Sequence, residues 1–102
     1  MNWETGTTGL LYKKATIFKN RLFDLHILKI LGGGYIRPHV DNGRQLRINI
    51  TIPTHHKGGI FLCYRSYLNL CGISVYRADK HLHEFTEVVS GCKYVVSFGL
   101  YY

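Results

Sequence analysis

The chain has 102 residues, of which 46% are hydrophobic and 14% aromatic. That length suits one domain with a single core, and the composition, with only two prolines, is not that of a disordered chain. The formal net charge of +7 favours anionic partners, such as nucleic acid, acidic proteins or a doubly negative small acid. The lysines and arginines are scattered, however, and form no dedicated nucleic-acid-binding stripe along the sequence.

The N-terminal segment has no feature of a targeting or membrane-spanning sequence. Residues 1–6 lack a basic stretch followed by an apolar run, and no segment approaches the roughly 20 apolar residues that span a bilayer. Cys63, Cys71 and Cys92 show no Cys-x-x-Cys spacing, which predicts neither a disulfide framework nor a metal knuckle. We therefore expect an intracellular (cytoplasmic) protein in a reducing environment, without a membrane partner.

Taken in order, the chain predicts a lead-in followed by short β-strands. Residues 1–21, rich in glycine and threonine, are expected to be a loose N-terminal lead-in, and residues 22–102 the folded core. No window of ten or more residues shows a clear 3.6-residue period, although Phe18–Ile30 is also compatible with a helix. The predicted strands are Leu22–Leu31 (ending at three glycines), Tyr35–Val40, Leu46–Ile52, Gly58–Tyr64, Ile73–Tyr76 and Tyr94–Tyr101.

The segment Leu46–Ile52 gives the clearest strand pattern. Its apolar residues fall on one face, and Arg47, Asn49 and Thr51 fall on the other. With these six strands and one or two shorter segments, such as the one around His83, the chain has roughly seven or eight strand-like segments, a number typical of a double-sheet jelly roll or a small barrel. The sequence therefore predicts an all-β domain with few or no supporting helices.

His39 and Asp41 are the first candidate metal ligands. If Arg37–Asp41 is a strand, its two-residue period places both side chains on one face, where a second strand can bring His83 beside them. Two imidazoles and one carboxylate on one side of a divalent metal leave open positions for a co-substrate and dioxygen. A His-x-Asp pair is weak evidence by itself in a chain with 6 histidines, so the downstream sequence must decide.

The order of motifs along the chain supplies that context. The motifs are Pro38-His39-Val40-Asp41-Asn42, Arg47–Ile52, Gly58-Gly59-Ile60-Phe61-Leu62, Leu82-His83-Glu84 and Gly91–Phe98. Their order resembles the 2-oxoglutarate- and Fe(II)-dependent dioxygenases, most closely the prolyl and lysyl hydroxylase branch. The resemblance runs from about Leu22 to the C-terminus and implies a minimal double-stranded β-helix, a cupin-like barrel.

The resemblance also implies a role for individual residues. His39, Asp41 and His83 match the Fe(II) ligands of the family, with no catalytic residue beyond them. Lys93 matches the cation that binds the far carboxylate of 2-oxoglutarate, and Thr51 and Ser97 match secondary contacts to the same co-substrate. The implied reaction is hydroxylation of a C–H bond with 2-oxoglutarate and dioxygen as co-substrates, and a prolyl or lysyl side chain of a protein is the first expected substrate.

Other histidines need separate interpretation. His81 shares a strand face with His83 and is an alternative ligand, although the spacing to Lys93 favours His83. His55 and His56 lie in a polar loop and are expected to be exposed. His26 lies in an apolar segment and is expected to be a core histidine.

The chain departs from the family in what precedes the barrel. Family members usually have helices there that cover the larger sheet, whereas about twenty residues precede the first predicted strand. We therefore expect the outer face of the sheet to need a partner protein, a second copy in a homo-oligomer, or the rest of a longer parent protein.

Three alternative functions remain open at this stage. The first is a dioxygenase that acts on nucleic acid, suggested by the positive charge. The second is a non-catalytic basic β-barrel that binds nucleic acid. The third is a degenerate dioxygenase fold that has kept the metal but lost turnover.

Overall fold

A computed structural model of the protein describes residues 3–102. Every regular element in this range is a β-strand, and all strand pairings are antiparallel, so the predicted all-β fold is confirmed. No helix that can cross a membrane occurs in the described range. The ten strands are β1 (Trp3–Thr5), β2 (Gly9–Lys19), β3 (Phe23–His39), β4 (Gln45–Thr51), β5 (His56–Gly58), β6 (Phe61–Cys63), β7 (Leu68–Leu70), β8 (Ile73–Arg77), β9 (His83–Phe85) and β10 (Val88–Tyr101).

The strands form a double-stranded β-helix, or jelly roll. The larger layer has the order β1-β2-β3-β10-β4-β8-β7. The long strand β3 takes part in two layers, because Phe23–Leu31 pairs with β10 whereas Ile36 and His39 pair with β9. Strand β9 also pairs with β6, and the start of β10 pairs with β5. The smaller layer thus closes over the inner face of the larger one.

Three glycines bend β3 without ending it, contrary to the sequence prediction. Gly33 has a φ of +85°, and the pairing with β2 is irregular at Leu11, which has a φ of +51°. A Cβ atom at Gly34 would lie 2.5 Å from the carbonyl oxygen of Leu11. The glycines therefore let two backbones approach closely at a bulge, where β3 passes from the larger layer to the smaller.

The loose N-terminal lead-in predicted for residues 1–21 is also wrong for residues 3–21, and its first two residues lie outside the described range. Strand β2 pairs with β3 along most of its length, and Tyr12 and Ala15 are buried in the domain. The bulge at Leu11 interrupts the alternation of β2, so its strand character comes from pairing with β3 and is hard to see in the sequence. Ordered structure therefore begins well before Arg21.

Strand β4 turns its polar face inward. Its alternation was predicted correctly, but Arg47 and Asn49 are 7% and 3% exposed, whereas Ile50, on the opposite face, is 47% exposed. Inward polar side chains are unusual, because the inner face of a sheet is normally the apolar one. Several apolar side chains consequently lie exposed on the larger layer, and a partner that covers them remains a prediction: Ile50, Leu68, Leu70, Ile73 and Leu100.

Candidate metal centre

Side chains from β3, from the segment that follows it and from β9 converge on one point. His39 and His83 stand opposite each other in the pairing of β3 with β9, with ring centroids 4.4 Å apart. The Asp41 carboxylate lies between them, with Oδ1 3.3 Å from Nε2 of His39 and Oδ2 3.6 Å from Nε2 of His83. Each residue offers one ligand atom, and these atoms lie within 4.8 Å of one another. The structure therefore brings together the three residues that were selected as metal ligands.

The backbone after β3 explains why Asp41 joins the two histidines. Strand β3 ends at His39, but the amide of Asp41 donates a hydrogen bond of 2.8 Å to the carbonyl of Ala78. This bond places the side chain of Asp41 beside that of His39 even though Asp41 lies outside the strand. The predicted strand Tyr35–Val40 was thus one residue too long at its end.

Hydrogen bonds prepare both imidazoles for metal binding. Nδ1 of His39 lies 2.7 Å from the carbonyl oxygen of Arg37, and Nδ1 of His83 lies 2.8 Å from that of His81. Because a carbonyl oxygen only accepts, each Nδ1 carries the hydrogen and donates it. Each Nε2 is then left with the lone pair that a metal requires, and the ring orientation is fixed as it is in many metal sites. The donor set fits a divalent transition metal such as Fe(II).

The electrostatics of the site favour positive charge. Burial disfavours the charged form of His39, but hydrogen bonds to Asp41 and to the Arg37 carbonyl outweigh it and raise the pKa of His39. Burial also disfavours the Asp41 carboxylate, but hydrogen bonds with His39 and His83 lower the pKa of Asp41 well below its usual range. The carboxylate therefore stays charged at neutral pH and attracts either a proton on the imidazole or a metal cation.

The interaction between His39 and Asp41 predicts a pH range in which it stabilises the metal-free protein. The raised pKa of His39 gives a stabilisation that is complete below the ordinary value of 6.5 and is lost as pH rises through the raised pKa. The lowered pKa of Asp41 gives a contribution to stability that is present above pH 3.8 and is lost as pH falls through the lowered pKa.

With a chelator present, we expect His39→Ala to lose more free energy of unfolding, measured in urea, at about pH 5.5 than at about pH 8. An equal loss at both pH values, or the same trend in a variant of the exposed His55, would contradict this.

The metal ligands line a cavity of about 290 Å³ between the two layers. The larger sheet contributes an unusual number of polar side chains to it. Besides the three candidate metal ligands, a molecule bound in the cavity would contact hydroxyl, amide, imidazole, ammonium and guanidinium groups. These groups belong to Lys14, His26, Gln45, Arg47, Asn49, Tyr76, Ser97 and Tyr101.

A buried ion pair organises this polar surface. Nη2 of Arg47 lies 2.8 Å from Oδ1 of Asp24, which has no solvent exposure, and Nη1 of Arg47 donates to Oγ of Ser97 at 2.7 Å. The hydroxyl of Tyr101 donates to the same carboxylate. Gly99 stands between the two charged residues in the strand register, and a Cβ atom there would lie 2.9 Å from Oδ1 of Asp24. The ion pair across β10 therefore depends on a glycine at this position.

Of the three residues predicted to bind 2-oxoglutarate, only Ser97 lines the cavity. Lys93 is 6% exposed and donates from Nζ to the carbonyl of Gly59 at 2.6 Å. Burial lowers the pKa of Lys93. Lys93 shares the inner face of β10 with Ser97 but lies four residues away, about 13 Å along the strand. Thr51, at the end of β4, also lies outside the cavity lining.

The remaining histidines differ in their burial and in their contacts. Nδ1 of His81 accepts a hydrogen bond from the amide of Arg77, and its ring packs against Tyr67, so His83 is the ligand candidate of the two. His26 is buried as expected, but it also lines the cavity, with Nε2 3.2 Å from Oδ2 of Asp24. His55 is exposed, whereas His56 is half-buried in β5.

Sequence reasoning missed the polar inner surface formed by Asp24, His26 and Arg47. The available signal was the regular alternation in β4, because Arg47 and Asn49 share a face with Thr51, which was expected to contact 2-oxoglutarate. Short charged residues within apolar strands, such as Asp24, are a second signal, because buried carboxylates need a partner.

Comparison with known proteins identifies the architecture. Neither a protein-family model nor a curated protein sequence matches the chain. Similar solved structures include a cupin-2 domain from Rhodospirillum rubrum, with a TM-score of 0.66 and 8% identity over 95% of this chain and 64% of that one. The cupin domain of Cnp3 from Schizosaccharomyces pombe gives a TM-score of 0.67 and 8% identity over 100% of this chain and 69% of that one.

An oxidoreductase of the 2OG-Fe(II) oxygenase family from Burkholderia pseudomallei is also similar, with a TM-score of 0.61 and 14% identity. The match covers 86% of this chain but 44% of the oxygenase, so the chain spans less than half the length of that protein. Identities this low show the fold alone, and cupin folds serve diverse functions. The chain is therefore a cupin-like jelly-roll domain, similar in architecture to a 2OG-Fe(II) oxygenase among other proteins.

Proposed function

We propose that this domain is a 2-oxoglutarate- and Fe(II)-dependent dioxygenase in which His39, Asp41 and His83 hold the metal. The observation that supports the proposal is the approach of both Nε2 atoms to one carboxylate while each Nδ1 is bonded to a carbonyl. Two histidines and one carboxylate with open positions are the donor set of non-haem Fe(II) oxygenases. The similarity in fold to an oxygenase of this class is consistent with it.

The residues around the ligands would orient the metal and limit access of water. Tyr76 and Phe61 pack on the ring of His83, with centroids 4.8 and 6.1 Å away. Tyr76 is 2% exposed, so this side of the site is sealed. When bound, Fe(II) would supply the hydroxylation of a substrate C–H bond, with one oxygen atom of dioxygen entering the substrate and the other entering the succinate formed from 2-oxoglutarate as carbon dioxide is released.

The size of the cavity limits the substrate. A volume of about 290 Å³ accommodates a small dicarboxylic acid and the reacting end of one further group, so a macromolecular substrate would insert a single side chain or base. A prolyl or lysyl side chain of a protein is the first proposal, by analogy with the hydroxylase branch. A base of a nucleic acid is the second, favoured by the net charge of +7.

Succinate formation tests the proposal directly. Protein supplied with Fe(II), 2-oxoglutarate and dioxygen is expected to produce succinate slowly without a substrate, and His39→Ala is expected to reduce this to the rate of protein-free controls. A His55→Ala variant should keep the wild-type rate, because His55 is exposed and does not belong to the cluster. If protein with bound Fe(II) makes no succinate, the dioxygenase proposal is wrong and a non-catalytic metal-binding domain replaces it. Stimulation by prolyl or lysyl peptides or by oligonucleotides then separates the two substrate classes.

A further inference from the structure

We infer that Lys14 binds the far carboxylate of a small dicarboxylic acid whose near end reaches the metal centre. The inference rests on the proposed metal centre and assigns to Lys14 the role that the sequence resemblance assigned to Lys93. It makes the inner face of the larger sheet, opposite the metal ligands, the recognition surface for the organic co-substrate.

Lys14 provides the positive charge in the cavity that has no carboxylate within ion-pair distance among the described residues, although the exposed Glu4 stands opposite it in the strand register. Two cations line the cavity, and the charge of Arg47 is matched by Asp24 at 2.8 Å. Within residues 3–102, Lys14 takes part in no ion pair. Burial lowers the pKa of His26, and the positive charge of Lys14 nearby lowers it further. A carboxylate that leaves water for a narrow cavity needs a charged donor of this kind.

The strand geometry of β2 explains the position of Lys14. Lys14 pairs with Leu28, another residue that lines the cavity, and it shares the inner face with Tyr12. The side chain of Lys14 is half-buried, whereas its neighbour Lys13 is exposed on the opposite face. Adjacent lysines thus differ in the face that they occupy, which makes Lys13 a matched control.

Two neutral residues on the same surface, Ser97 and Asn49, have hydrogen-bonding capacity that no group in the described part of the protein uses. Oγ of Ser97 accepts a hydrogen bond from Arg47, so its own hydrogen remains available to a ligand. Nδ2 of Asn49 donates to the hydroxyl of Tyr76, but Oδ1 of Asn49 is buried without a hydrogen-bond partner. That acceptor needs a hydrogen-bond donor, which a dicarboxylate does not offer, so of these two residues Ser97 is the one that can donate to the ligand.

The charge balance selects a dianion. A divalent cation beside the Asp41 carboxylate leaves one net positive charge at the metal centre, since the two imidazoles are neutral when they bind metal. Lys14 adds a second positive charge elsewhere in the same cavity. A dicarboxylate with one end at the metal and the other at Lys14 neutralises both, whereas a monocarboxylate neutralises one.

Anaerobic titration of Fe(II)-loaded protein with 2-oxoglutarate tests this assignment, with the visible charge-transfer absorption of the chelate as the signal. We expect Lys14→Met to weaken 2-oxoglutarate binding by about tenfold or more, because a charge-assisted contact is lost. Lys13→Met and Lys93→Met should each stay within about twofold of the wild type. Pyruvate, which lacks the far carboxylate, should bind the wild type and Lys14→Met equally, and Fe(II) affinity should be unchanged.

The outcomes separate this inference from the proposed function. Equal 2-oxoglutarate affinities of the Lys14 and Lys13 variants, or a loss found only in Lys93→Met, would overturn the role of Lys14. Wild-type protein that binds Fe(II) but not 2-oxoglutarate would overturn both the role of Lys14 and the dioxygenase function, and only the metal centre would stand. If the wild type binds no metal, the proposed function fails. Calorimetry of 2-oxoglutarate with metal-free protein then decides, because binding that depends on Lys14 supports the inference and its absence overturns it.

Discussion

Metal binding is expected to be lost when Asp41 is replaced by alanine. The substitution removes the only carboxylate of the cluster of ligand atoms within 4.8 Å and leaves two imidazoles. Even changes to groups that merely support ligands typically cost 10–100-fold in metal affinity, so loss of a ligand should cost about 100-fold or more. Anaerobic Fe(II) titration, or the absorption of bound Co(II), measures the effect.

Matched controls make this result specific to the site. The side chain of Asp41 is 34% exposed, so its removal should leave the fold intact, as circular dichroism can verify. Glu87→Ala removes an exposed carboxylate outside the cluster and should leave metal affinity within about twofold. If Asp41→Ala binds metal as tightly as Glu87→Ala does, the three residues do not form the metal centre.

Replacing Arg47 by methionine is expected to destabilise the fold by about 3–5 kcal/mol, because one partner of a buried ion pair is removed. Asp24 has no solvent exposure, and Arg47 is its nearest cation, at 2.8 Å. The carboxylate would keep the hydrogen bond from Tyr101 and the contact with His26 but lose its charged partner. Urea denaturation gives the change in the free energy of unfolding.

A double substitution separates the uncompensated charge from lost packing. Asp24→Asn combined with Arg47→Met removes both charges and should recover part of the stability lost in Arg47→Met alone. The exposed Arg21 serves as a control, and Arg21→Met should change stability by no more than about 0.5 kcal/mol. If Arg47→Met behaves like Arg21→Met, the ion pair does not organise the inner face of the sheet.

The polar interior has a cost in stability that a purely structural barrel would avoid. Well-packed apolar residues usually stabilise a core as well as a buried ion pair does, or better. Here the polar side chains line the cavity that contains the metal ligands, while apolar residues such as Ile50 are exposed on the outer face. This inversion is the expected arrangement for a barrel whose interior binds a charged molecule.

The sequence by itself determined the all-β class and the candidate ligands. Two-residue alternation in Leu46–Ile52 is a local property of the backbone, whereas the common side of His39 and Asp41 depends on the hydrogen bond from the Asp41 amide to the Ala78 carbonyl. Their order relative to His83 matched a known family closely enough to select the residues that the structure brings together.

Only the tertiary structure decided which side of each strand faces the cavity and which residues stand opposite one another. Alternation defines two faces of β4 but does not say which one is enclosed, so the inward position of Arg47 is known only from the tertiary structure. The pairing of His39 with His83 joins residues 44 positions apart, and the pairing of β2 with β3 hides the strand character of the N-terminal segment. Lys14 entered the cavity and Lys93 did not, because strand register and the bend of β3 are set by contacts between distant segments and not by local sequence.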